Sequence, residues 1–125
     1  MKNEDFLWAG TALRGGIAGQ QQATCGAVAA GAIFLGLKNR RSLNDKDKVE
    51  AARKAANEDA AELVKSFIEK FGAVTCIGLT GVDFSDEKAM KQAIDSGLFE
   101  EKCNKQAQFV VEKLYELDNK RRGNS

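Results

Sequence analysis

Between Val49 and Phe71, the apolar positions Val49, Ala52, Ala56, Ala60, Leu63, Phe67 and Phe71 recur at steps of three and four. That is the period of one face of a long α-helix. Asp45 lies ahead of this segment, Lys70 suits the negative end of the helix dipole, and Gly72 ends it. A second stripe, Phe99, Cys103, Ala107, Val110, Leu114 and Leu117, predicts a last helix along one apolar face.

The remaining elements are shorter. Glu4 to Leu13 reads as a helix whose apolar material is Phe6, Leu7, Trp8 and Leu13. The run Arg14-Gly15-Gly16-Ile17-Ala18-Gly19 breaks it, because glycine opens positive φ and costs about 1 kcal/mol inside a helix. A second helix is predicted from about Thr24 to Lys38, with Thr24 as its N-cap. Its Gly26, Ala27, Ala30, Gly31 and Ala32 would let another backbone approach closely. Lys38 to Ser42 is a polar connector. Ala73 to Leu79 predicts a short helical turn capped by Thr75, and Ser85 caps a further helix interrupted at Ser96-Gly97. With no convincing alternating strand pattern, the class is all-α: one domain over 1–125, a small bundle of about five helices with a frayed tail at 119–125.

A membrane span is the first alternative to test. From Gly15 to Leu37 there are 23 residues without a charge, which as a helix would measure about 35 Å. Gln20-Gln21-Gln22 and three glycines occupy its first part. Only Ala23 to Leu37, 15 residues, is continuously small or apolar, a length suited to a buried helix rather than a membrane one.

Composition narrows the chemistry. The 125 residues carry a formal net charge of +1, which gives no basis for a nucleic-acid partner. There is no histidine, hence no imidazole base or metal ligand. No nucleophile–base pair stands at a recognisable spacing, so the sequence does not establish an enzyme. The three cysteines are an odd number behind no secretory pattern, which predicts free thiols in the cytoplasm. They are separated by 51 and 27 residues, and no CxxC is present.

Cys25 and Cys76 each fall at a predicted helix start, where free backbone N–H groups favour thiolate. Each also admits the plainer reading of a small hydrophobe chosen for fit. Cys103 lies on the apolar stripe of the last helix and reads as a core cysteine. The glycine-rich run after Leu13 lacks the Lys-Ser/Thr of a phosphate loop and reads as a structural turn. The acidic pairs Glu58, Asp59, Glu62 and Glu100, Glu101 read as solvated helix faces, and Arg121 and Arg122 as part of a disordered end.

Taken together, Arg14 to Gly19, Thr24-Cys25-Gly26-Ala27-Val28, Ile33 to Leu37, Phe67 to Gly72 leading to Cys76 and Leu79-Thr80-Gly81, and Cys103 ahead of Val110 to Leu114 resemble a known family. It is the redox-active family named for a CGAxxG motif and spaced cysteines (C_GCAxxG_C_C type). Two departures stand out. The motif's closing glycine would fall at Ala30 but comes at Gly31. The family's upstream segment with its first cysteine is also expected to be missing.

The resemblance implies a helical domain with Cys25, Cys76 and Cys103 available either for thiol–disulfide chemistry or as ligands of an iron–sulfur cluster. Three thiolates are one short of the usual four, which favours dithiol chemistry or a degenerate site over an intact cluster in an isolated monomer. The expectation is a small redox protein acting with an unidentified redox partner. The alternative is a non-catalytic interaction module, in which the cysteines are inert and Phe6, Trp8 and the small-residue helix mediate homo-oligomerisation.

Overall fold

The computed structural model describes residues 3–123. Among them six α-helices follow in order: α1 (Asn3–Gly10), α2 (Gly26–Asn39), α3 (Lys46–Phe71), α4 (Cys76–Thr80), α5 (Glu87–Asp95) and α6 (Leu98–Gly123). The chain is thus all-α. No helix among the described residues is long and apolar enough to cross a membrane.

Local chemistry sets the boundaries. Asp45 accepts a hydrogen bond from the Lys48 N–H at 3.1 Å, and Gly72 closes α3 at φ 82°. Thr75 caps α4 as expected, its hydroxyl accepting from Gly78 N–H. Three predicted boundaries shift. The segment to Leu13 is α1 followed by a 3-10 turn, Thr11–Leu13. Cys25, not Thr24, occupies the N-cap of α2. Asp86, not Ser85, caps α5, accepting from Ala89 N–H at 3.0 Å.

Helices α2, α3 and α6 pack together around Val28 and Leu35, Leu63 and Phe67, and Val110 and Leu117, with Leu79 of α4 closing one end. Phe67, Phe71 and Phe109 form a cluster with centroids 4.7 to 6.1 Å apart. At Gly31 α2 packs against both α3 and α6: a Cβ there would stand 2.8 Å from Leu63 Cδ2 and 3.0 Å from Val110 Cγ1. The small-residue character of α2 therefore has a packing cause.

Charges lock the end of the bundle away from the cysteines. Lys38 pairs with Asp118, so α2 and α6 run parallel. Arg121 grips Asp59 through two bonds, 2.6 and 2.9 Å, and donates to the Ala55 carbonyl at 3.1 Å. This corrects two expectations. Asp59 is buried rather than solvated, and the C-terminal segment is helical through Gly123 because the bundle holds it. Asn124 and Ser125, the last of the expected frayed tail, lie outside the described residues.

Candidate functional site

The opposite end of the bundle is built on a crossing of two turns. Thr24 and Thr75 form an isolated antiparallel bridge, with Cys25 N–H bonded to the Val74 carbonyl at 2.7 Å and Cys76 N–H to the Ala23 carbonyl at 3.3 Å. In this pattern Cys25 faces Val74, and Cys76 is its diagonal neighbour on the same side of the bridge. Diagonal Cα atoms stand roughly 7–8 Å apart, at or just past the limit of about 7 Å for a direct disulfide, so closing one requires a small backbone shift. Two cysteines distant in sequence thus become neighbours through backbone pairing.

The turn before Cys25 is unusual. Gly15, Gly16, Ile17, Ala18 and Gly19 all have positive φ, between 53° and 75°. For Ile17 and Ala18 this is a strained conformation, costing on the order of 1–3 kcal/mol each. At Gly16 no side chain is tolerable, since a Cβ would lie 2.8 Å from Gln21 Cα and 2.9 Å from the Ala23 carbonyl oxygen. The coil is held by Ala18 N–H to the Ala12 carbonyl and Gln21 N–H to the Gly15 carbonyl, both 2.8 Å. It is a structural turn, as its sequence suggests, and it delivers Gln21 into the interior.

Gln21 is 5% exposed and uses both ends of its amide: Nε2 donates to the Val82 carbonyl at 2.5 Å, and Oε1 accepts from Phe84 N–H at 2.8 Å. Its amide also acts on the Cys76 thiol, lowering that thiol's pKa. On α6 a second buried amide, Gln106, accepts from Cys25 Sγ at 3.9 Å.

Cys25, Cys76 and Cys103 all line one open cavity of about 660 Å³, whose apolar wall includes Leu13, Leu79, Phe84, Met90 and Phe99. The volume is that of a small-molecule site. Phe84 and Phe99 meet edge to face, 5.6 Å between centroids, and fix the loop after α4 against the start of α6.

The three thiols are not equivalent. Cys25 is half-buried at the N-cap of the 14-residue α2, and its side chain makes no capping bond, so the first N–H groups of that helix remain open beside it. Cys76 is buried at the head of a five-residue helix. Its thiol is pushed up by burial, eased by the Gln21 hydrogen bond, and pushed up again by negative charge on Cys25. Cys103 is exposed at the cavity rim rather than in the core. The reason is that the first turns of α6 face the cavity, and the three-helix core begins only at Gln106 and Val110. Crowding by neighbours still pushes the Cys103 thiol up, with smaller contributions from charge on Cys25 and Cys76.

An iron–sulfur cluster would require these thiols to point at one centre. Among the described residues, no group of three or more Cys, His, Asp or Glu is gathered closely enough to hold a metal ion, and the cavity lining includes no carboxylate. The arrangement as it stands does not fit a cluster.

Sequence reading singled out the cysteines but missed the two glutamines. Gln106 left a trace, a polar residue one turn beyond Cys103 on a helix with an apolar stripe. Gln21 left none, since its burial depends on a left-handed coil that no local pattern announces.

No curated protein matches the chain, and no solved structure does. A family model described as "Putative redox-active protein (C_GCAxxG_C_C)" matches residues 1–117. With spaced cysteines brought to one cavity and nearly the whole chain covered by that match, the protein belongs to the C_GCAxxG_C_C family of redox-active proteins.

Proposed function

We propose that this protein is a thiol–disulfide redox protein in which Cys25 is the attacking thiol and Cys76 its resolving partner. The observation that carries the reading is the shared cavity, which receives Cys25, Cys76 and Cys103 from three different helix starts or turns. Cys76 and Cys103 are held from ionising by burial and by charge on Cys25, which makes them poor first nucleophiles. Cys25 stands at the N-cap of α2, where its side chain leaves the first N–H groups of the helix uncapped. A resolving thiol needs proximity more than acidity, and the bridge between Thr24 and Thr75, which makes Cys76 the diagonal neighbour of Cys25, supports Cys76 in that role. Cys103 stands at the rim as a third thiol able to exchange with a disulfide below it.

The test is equilibration of the reduced protein with mixtures of oxidised and reduced dithiothreitol, followed by alkylation of remaining thiols and peptide mass mapping. The expected result is a reversible two-electron transition ending in a Cys25–Cys76 disulfide, abolished in Cys25→Ser and Cys76→Ser. Three thiols that stay reduced at every ratio would refute the reading and support an inert scaffold.

A further inference from the structure

Arg14 is the one permanently charged residue among those lining the cavity, and its guanidinium makes no hydrogen bond or ion pair with any described residue. It belongs to the strained coil, directly before Gly15, and its backbone packs beside α2: a Cβ on Gly26 would lie 3.1 Å from the Leu13 carbonyl oxygen and 3.5 Å from Arg14 Cα. Its guanidinium lies close to Gly19, where an added Cβ would stand 3.7 Å from Arg14 Nη1 and 4.0 Å from Phe84 Cδ2. Arg14 is exposed, and its unpaired guanidinium belongs to a residue that lines the same cavity as the three thiols.

We propose, resting on the thiol–disulfide reading above, that the cavity takes a small disulfide bearing a carboxylate, which Arg14 binds while Cys25 attacks the sulfur. A guanidinium fork matches one carboxylate with two parallel hydrogen bonds. A phosphate dianion would leave charge unbalanced against a single arginine in a cavity with no lysine, so a carboxylate is the better fit. The apolar wall of Phe84, Met90 and Phe99 suits the carbon chain between carboxylate and sulfur.

The steps balance. Cys25 thiolate attacks R–S–S–R, forming Cys25–S–S–R and releasing R–S⁻. Cys76 then loses its proton to the departing thiolate and attacks the Cys25 sulfur, forming the Cys25–Cys76 disulfide and releasing the second R–S⁻, which takes a proton from water. The dithiol gives up two electrons and the small disulfide gains them.

The experiment follows thiol loss in reduced protein by stopped flow with three disulfides of similar size: 3,3′-dithiodipropionate (anionic), 2-hydroxyethyl disulfide (neutral) and cystamine (cationic). The wild type should react with the anionic reagent about tenfold faster than with the cationic one, the size expected of one charge-assisted contact. Arg14→Gln should bring that ratio close to one, Arg14→Lys should keep part of it, and added salt should shrink it in the wild type. A ratio near one in the wild type, or one unchanged in Arg14→Gln, overturns the assignment to Arg14. The neutral reagent, by still yielding a Cys25–Cys76 disulfide in the wild type, would then show that the redox reading survives. Failure of all three reagents to produce that disulfide overturns both.

Discussion

Gly31 and Gly36 lie in the same helix, and the structure assigns opposite signs to the same substitution at the two sites. In Gly31→Ala the new Cβ would meet Leu63 Cδ2 at 2.8 Å and Val110 Cγ1 at 3.0 Å. Leu63 is 0% and Val110 4% exposed, so neither methyl can swing into solvent. Overpacking of this kind costs about 1–3 kcal/mol. Replacing glycine by alanine inside a helix returns about 1 kcal/mol. The net is a loss of about 0–2 kcal/mol at Gly31. At Gly36 nothing lies within 4 Å of the added Cβ, so Gly36→Ala should gain about 0.5–1 kcal/mol. Urea unfolding read as the shift in midpoint at constant m-value separates the two. The reasoning fails if Gly31→Ala is stabilised as much as Gly36→Ala, because the three helices would then not meet at Gly31.

Arg121→Met leaves the buried Asp59 carboxylate without its partner and should cost about 1–3 kcal/mol in thermal or urea unfolding; Asp59→Leu combined with Arg121→Met should recover most of that loss, and wild-type stability in the single variant would contradict the pairing. Cys76 and Cys103 are raised above 9.0 in the folded state, so their alkylation by iodoacetamide should be slow at neutral pH and still rising beyond pH 9. The same sign makes the stability they contribute fully present below pH 9 and lost as pH climbs through their folded values, a decline that should be shallower in Cys76→Ala. Gln21→Ala removes the tie between the coil and Val82 and Phe84; amide hydrogen exchange of residues 82–84 should then speed up, and unchanged exchange there would contradict its role.

The long periodic segments were the legible part of the chain. Ala60, Leu63, Phe67 and Phe71 on one helix and Val110, Leu114 and Leu117 on the other carry their period in side chains that form the core or pack against it, so pattern and packing agree. Caps formed by short polar side chains were readable to within one residue. Cys103 was misplaced because an apolar stripe does not say where along a helix the core stops and a cavity begins. Asp59 and Arg121 were misread for a related reason: a charged residue on a helix is ordinarily solvated, and only the pairing of two elements 62 residues apart shows otherwise. The adjacency of Cys25 and Cys76 rests on a single backbone bridge, and no local signal in either turn encodes it.

The central claim is that the sulfurs of this chain share one space. A bifunctional alkylating agent that fluoresces only after bridging two thiols, such as dibromobimane, tests it on the native reduced protein. The account predicts fluorescence and a cross-linked peptide pair containing Cys25 and Cys76, lost in Cys25→Ser. Single-site modification of every cysteine, with no bridged peptide, would contradict it.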